Sequence, residues 1–334
     1  MSTRDWIVVG SSAGGVEALQ RFCAKLPPDL PATIFITQHL SPSAKSLLPQ
    51  LLSKAGPLPA LSPVDGQAIE AGHIYVAAPD HHMLVRSDHI LMRRGPNENR
   101  TRPAVNALFR SAAIHGGGRV IGIVLTGLLD DGTDGLITIK AAGGYSIVQD
   151  PADAEWPSMP RNALQRDHVD QSLPLDEIPQ LLVRLVRERA SPSVPVPEEY
   201  LIEDRIAAQE FAVLEPDIVT PGDPSRLSCP DCGGVLNGIT QQNETRFRCQ
   251  VGHAFTPLGL AAAQNEELER ALGIAVRTHR DRMKLFAQME ESARNRGLAH
   301  AVKRWVEARE ESEKLVAVLE DAMMSLRKPE PEES

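Results

Sequence analysis

The sequence predicts an α/β fold: a doubly wound, mostly parallel sheet in a Rossmann-like three-layer arrangement, followed by a small cysteine-containing module and a helical hairpin. Three observations predict it. Short β-rich runs alternate with helical patterns over the first 190 residues, as in successive βαβ units. Aromatic residues make up only 4% of the chain, so the core must rest on Leu, Val, Ile and Ala, as where helices cover a parallel sheet. The 334 residues suit roughly two domains at about 150 residues each.

Composition excludes several function classes. Apolar residues at 42% and charged residues at 24% are those of a globular protein, not a disordered one. The net charge is -9 and both halves of the chain are acidic, so the basic footprint needed to bind nucleic acid is missing. No apolar run reaches the ~18 residues of a membrane span, and the N-terminus lacks the pattern of a signal peptide. The expected compartment is a reducing cytoplasm, where the four cysteines are thiols or metal ligands rather than disulfides.

The elements follow in order. Trp6–Gly10 reads as a buried strand. Val16, Leu19, Phe22 and Leu26 then recur at helical spacing, which places Cys23 in a helix and its lone thiol in the core. Ala32–Gln38 is a second strand, and a helix is expected over Ala44–Lys54. His73–Ala78, His82–Val85 and His89–Arg93 are shorter strands, the last two a hairpin. Pro103 suits the first turn of a helix running to about His115. Arg119–Thr126 is the longest buried strand, Gly132–Ala142 a helix, Gly144–Gln149 a strand, and Leu173 to about Arg189 an amphipathic helix. The Pro- and Ser-rich stretch opening at residue 191 marks a linker over 191–228. A cysteine-containing module spans 229–256. From 257 to 328 two long helices form a hairpin broken at Asn295-Arg296-Gly297. One carries Leu268, Leu272, Val276, Met283 and Phe286 on a face, the other Val302, Trp305, Val306, Leu315, Leu319 and Met323. The final PEPEES is expected to fray.

Three strand ends carry reactive side chains. Gly10-Ser11-Ser12-Ala13-Gly14 satisfies G-x-S-x-G with Ser12 at its centre, the sharp strand-to-helix turn that presents a hydroxyl beside a helix N-terminus. The alternative is a Gly-rich turn that cradles phosphate. His39 follows the second strand on the same sheet edge, where open α/β sheets bind ligands. Asp130 and Asp131 follow the longest strand; an Asp here either orients an imidazole or caps the next helix. Nucleophile, base and carboxylate on three such loops form a Ser–His–Asp set whenever geometry brings them together.

The segments IVVGSSAGG, FITQHL, NRTRPAVNALFRSAA, GIVLTGLLDDGTDG and SMPRNAL resemble, in order and spacing over about residues 5–190, the catalytic domain of the chemotaxis protein-glutamate methylesterases (CheB). The resemblance implies a serine hydrolase that needs no catalytic cofactor. It implies hydrolysis of glutamyl methyl esters on methyl-accepting chemotaxis receptors, and deamidation of certain receptor glutamines. The family's nucleophile, histidine and aspartate match Ser12, His39 and Asp131. The backbone N–H groups of Ala13 and Leu128 are expected to stabilise the oxyanion, and the resemblance places Arg102 and Met159 in motifs near the cleft, as substrate-side candidates. The chain departs from the family in carrying Ala13 where Thr is common, and Leu128-Leu129-Asp130 where the loop is commonly Gly-rich with a single acid. The family's usual N-terminal receiver domain is expected to be absent, because the first strand begins near residue 6. Two other readings are a non-catalytic signalling scaffold that docks a methylated partner and a general serine esterase.

Cys229-Pro230-Asp231-Cys232 and, after sixteen intervening residues, Cys249-Gln250-Val251-Gly252-His253 have the spacing of two metal-binding knuckles. A structural Cys3His zinc site over Cys229, Cys232, Cys249 and His253 is expected, since four protein ligands leave no open position. Its rivals are a redox-active CxxC and thiols without function. The helical hairpin reads as a surface for a homodimer or another partner, or as simple packing. The extension as a whole is expected to serve as a regulatory or docking unit.

Overall fold

The computed structural model describes residues 3–43, 46–166, 169–210, 222–241 and 244–326. They divide into two compact units, residues 1–260 and 261–334. The first unit opens with β1 (Trp6–Ser11), α1 (Gly15–Ala24), β2 (Thr33–Gln38) and α2 (Leu48–Ala55). The short β3 (Ala60–Leu61) and β4 (Gln67–Ala68) precede β5 (Ile74–Val76), β6 (His82–Val85) and β7 (His89–Arg93). Then come α3 (Val105–Gly116), β8 (Val120–Val124), α4 (Thr133–Ala141), β9 (Tyr145–Gln149), α5 (Ser158–Arg166), β10 (Gln171–Leu173) and α6 (Ile178–Leu185).

Among the described residues the main sheet runs β10-β9-β8-β1-β2-β5-β3, with every pairing parallel. Alternation along β1 sends Ile7 and Val9 to one face and Trp6 and Val8 to the other. α1, α2 and α6 cover the first face, with Cys23 fully buried there. α3 and α4 cover the second. Both faces are dry, which is why these strands read as unbroken apolar runs. Chain order reverses between β1 and β8, and an open sheet of this kind has its crevice at the carboxyl ends of the strands beside such a reversal.

Several boundaries differ from expectation. α2 begins at Leu48; Ala44 and Lys45, in its expected first turn, lie outside the described residues. Pro103 precedes α3 instead of opening it: the Arg102–Pro103 peptide is cis, and extended Ala104 is the N-cap. α6 starts late because β10 and a single 3-10 turn at Leu175–Glu177 occupy the preceding residues. α5 was not anticipated. The hairpin β6–β7 forms as expected, in its own three-stranded sheet with β4.

The stretch 191–228 is not simply a linker. It contains α7 (Glu198–Ala207) and β11 (Asp223–Ser228). α7 is held on the first unit by Arg86–Asp204 at 3.0 Å and Arg110–Glu203 at 3.1 Å. β11 joins β12 (Val235–Gln241), β13 (Glu244–Cys249) and β14 (Ala254–Phe255) in an antiparallel sheet. α8 (Pro257–Asn295) begins at the end of the first unit.

The second unit holds most of α8 and α9 (Ala299–Leu326), the expected hairpin. Phe286 stacks on Trp305 with ring centroids 5.7 Å apart, and Arg280 pairs with Glu320. Val276 and Phe286 are buried, but Leu268 and Leu315, expected on the same faces, are exposed. The PEPEES tail lies outside the described residues. No helix among the described residues is long and apolar enough to cross a membrane.

Candidate active site

The register of the sheet sets the site. Gly10 pairs with Thr37 and with Val124, so β1, β2 and β8 end side by side. Beyond their ends the backbone stays joined: His39 N–H donates to Ser11 O at 3.1 Å and Ser12 N–H to Thr126 O at 3.0 Å. After Ser12 the chain must turn at once into α1. Gly14 makes that turn with φ +70°, a conformation open to glycine at no steric cost.

This brings together the three groups expected from the strand ends. Ser12 Oγ lies 3.2 Å from His39 Nδ1, and His39 Nε2 lies 2.8 Å from Asp131 Oδ2. Ionised Asp131 can only accept, so Nε2 carries the ring proton and Nδ1 presents a lone pair to the Ser12 hydroxyl. Asp131 also accepts from the N–H groups of Val105 at 2.7 Å and Asn106 at 3.1 Å, donors in the first turn of α3 that have no acceptor within the helix. Burial pushes the Asp131 carboxyl up, but the His39 hydrogen bond and these two N–H groups outweigh it and hold the group below the usual carboxylate value.

Asp130 turns away from His39. It accepts from the Thr256 hydroxyl at 2.9 Å and faces Arg166 at 3.4 Å. Burial pushes its pKa up to about 6; Thr256 and Arg166 pull it down, and neighbouring Asp134 and Asp131 push it further up. Leu129 takes φ +61°, a strained conformation for a leucine.

Ala13 directly follows Ser12, and Leu128 follows Gly127. A Cβ on Gly127 would lie 2.9 Å from Ser12 Cβ and 2.5 Å from Met159 Sδ, so only glycine lets this loop approach. Neither Ala13 nor Leu128 N–H donates to another backbone group among the described residues. The two expected substrate-side residues both have partners within the fold. Arg102 donates to Asp80 through Nε at 2.8 Å and to Gly95 O at 2.6 Å. Met159 is fully buried beneath Gly127 and donates its N–H to Gly127 O. Gln38 escaped the sequence analysis. It accepts from Ser11 Oγ at 2.7 Å and donates to Ser12 O at 2.8 Å and His39 O at 3.0 Å, tying the two strand ends together. Its position beside His39 on a strand end was the available signal.

The Cys229, Cys232, Cys249 and His253 donor atoms all lie within 4.8 Å of one another. Cys229 Sγ and Cys249 Sγ are each 3.6 Å from His253 Nδ1, and Cys232 Sγ is 3.6 Å from Cys249 Sγ. Bonds of about 2.0–2.3 Å to one tetrahedral ion place donors about 3.5–3.8 Å apart. The cluster therefore fits a metal. Two tight turns present the ligands, closed by Gly233 N–H to Cys229 O at 2.8 Å and Gly252 N–H to Cys249 O at 2.9 Å.

The family model for CheB methylesterase matches residues 7–182. A protein-glutamate methylesterase/protein-glutamine glutaminase of Rhizobium johnstonii is 36% identical over 176 residues, covering 52% of this chain and 48% of the relative. One of Geobacter metallireducens is 37% identical over 185 residues, covering 54% and 51%. The chain thus spans about half the length of these relatives. The crystal structure of the Thermotoga maritima CheB methylesterase catalytic domain superposes with TM-score 0.54 at 29% identity, covering 56% of this chain and 100% of that one. With more than half of its residues inside the family match and the matching fold beneath them, the chain belongs to the CheB methylesterase family.

Proposed function

We propose that the chain is a cytoplasmic serine hydrolase that removes methyl esters from glutamyl residues of methylated chemoreceptors and deamidates certain receptor glutamines. His39 Nδ1 takes the Ser12 proton as Oγ attacks the ester carbonyl. The N–H groups of Ala13 and Leu128 meet the oxyanion; one such donor contributes about 3 kcal/mol of barrier lowering. Asp131 fixes the His39 tautomer and stabilises the imidazolium. The proton on His39 passes to the leaving methoxide, and methanol departs. Water, deprotonated by His39, then cleaves the glutamyl-enzyme and regenerates Ser12. Cys229, Cys232, Cys249 and His253 would hold a zinc ion in a structural role, crosslinking their module and supplying no step of the reaction.

The observation that carries this reading is the Ser12–His39–Asp131 relay of 3.2 and 2.8 Å at the sheet's carboxyl edge. The test is methanol release from membranes carrying methylated receptor. Wild type is expected to release methanol and Ser12→Ala to match the protein-free blank; equal release by both would refute the hydrolase reading. A small chromogenic ester run alongside separates a receptor-directed enzyme from a general esterase.

A further inference from the structure

The loop bearing Asp131 is held from two sides. On one, Val105 and Asn106 N–H grip the Asp131 carboxylate, while Asn106 Oδ1 accepts from Gly132 and Gly135 N–H, each at 2.9 Å. On the other stands Thr256, three residues beyond His253 of the metal cluster. Its hydroxyl donates to Asp130 Oδ1 at 2.9 Å and accepts from Gly259 N–H at 2.9 Å. One oxygen thus caps α8 and holds the residue next to Asp131. The backbone around it is fastened to residues 97–99: Thr256 N–H donates to Asn99 Oδ1 at 2.9 Å, Ala254 N–H to Asn97 O at 3.1 Å, and Asn99 N–H to Ala254 O at 2.8 Å.

The loop needs holding. Leu129 sits at φ +61°, and such strain persists only where the surroundings over-determine the backbone. Asp130 is 1% exposed and close to two further acids, so without the Thr256 donor its carboxylate keeps only Arg166, at 3.4 Å, and gains by turning to water and drawing the adjacent peptide with it. Thr256 in turn depends on its module. β11–β14 bury few apolar side chains, chiefly Leu236, Ile239 and Phe255. A sheet that small takes its shape from the metal that closes it.

We propose that the Cys3His module is a metal-set clamp on the active-site loop, in which Thr256 is a positioning residue that fixes Asp130 and so keeps Asp131 in line with His39. Ester hydrolysis then depends on a metal that touches no reacting atom. This rests on the hydrolase reading of Ser12, His39 and Asp131.

The test uses the full chain, elemental analysis of bound metal, and steady-state hydrolysis of methylated receptor. Thr256→Val is expected to keep the wild-type metal content and circular dichroism spectrum, to lose about tenfold or more in kcat, and to keep KM within about twofold. Thr256→Ser is expected to restore kcat, because it restores the hydroxyl. Cys232→Ser is expected to lose the metal with the same fall in kcat, and adding Thr256→Val to it is expected to cost nothing further, since both remove one contact. Wild-type kcat in Thr256→Val or in metal-free Cys232→Ser overturns the clamp, as do additive losses. If Cys232→Ser does not fold, the Thr256→Val and Thr256→Ser pair decides alone. A wild type no faster than Ser12→Ala refutes the hydrolase reading itself and takes the clamp with it, a result distinct from an active wild type that Thr256→Val leaves unchanged.

Discussion

Asp130 and Asp131 adjoin in the chain and are both buried, yet burial acts on them with opposite net result. Asp131 collects the His39 hydrogen bond and two N–H donors, so its folded pKa falls below the ordinary 3.8. The stability it contributes is present above that value and is lost as pH falls through the folded one. Asp130 has one hydroxyl donor and a guanidinium at the edge of reach, against burial and two neighbouring acids. Its folded pKa rises from 3.8 to about 6, so its contribution is present below about pH 4 and is lost as pH rises through 6. An asparagine at 130 keeps an oxygen toward Thr256 without the buried charge. Asp130→Asn is therefore expected to be more stable than wild type at pH 8, by up to roughly 3 kcal/mol, with the advantage gone at pH 4. Urea unfolding at the two pH values checks this; an advantage that does not change with pH would contradict it.

Among the elements, α7 packs through buried charge as well as through Ile206 and Ala207. Its buried face includes Glu203 and Asp204. Glu203 meets Arg110 of α3 at 3.1 Å and, from β13, Arg246 at 3.1 Å and Arg248 at 3.4 Å. Burial pushes Glu203 up, but these guanidiniums more than offset it and hold the pKa at about 2, against 4.5 in the unfolded chain. Its contribution is complete above about pH 4.5 and disappears as pH falls toward 2. Glu203→Ala leaves three buried guanidiniums short of a partner and is expected to cost about 3–5 kcal/mol at pH 7. A loss under 1 kcal/mol in urea unfolding at that pH would show that the network is dispensable. The same chemistry explains what the sequence concealed. β1, β2 and β8 were legible because apolar runs buried on both faces mark themselves, and Ser12, His39 and the Asp130-Asp131 pair were legible because they follow those strands directly. α7 was not, because two of its four buried residues are acidic and leave no continuous apolar stripe, and its partner Arg110 lies 93 residues away. Thr256 was invisible for a similar reason: nothing local marks a hydroxyl whose acceptor lies 126 residues off. Arg102 and Met159 were assigned through motif resemblance, which locates a neighbourhood; the contacts that fix each side chain, Asp80 for Arg102 and Gly127 for Met159, are set by the fold.

At the scale of the whole molecule, the expected boundary at residue 190 cuts through contacts that belong together. The first compact unit runs to residue 260. Beyond 190 it includes Asp204 on Arg86, Glu203 on Arg110, Thr256 on Asp130, and Ala207 and Ala208 packed with Leu84, Leu91, Ala104 and Ala107. A fragment ending at 190 keeps the sheet and its three strand-end groups but strips Arg86 of its 3.0 Å partner and uncovers that apolar patch. A fragment ending at 260 retains all of these contacts. The 1–260 fragment is therefore expected to exceed 1–190 in unfolding free energy by at least the 3–5 kcal/mol typical of removing one partner of a buried ion pair. Chelation is expected to narrow the gap, because α7 and β13 share Glu203 and the module loses its shape without metal. Urea unfolding of both fragments, with and without chelator, makes the comparison. Equal unfolding free energies without chelator would mean that the family fold is self-sufficient at residue 190 and that everything beyond it is an attachment.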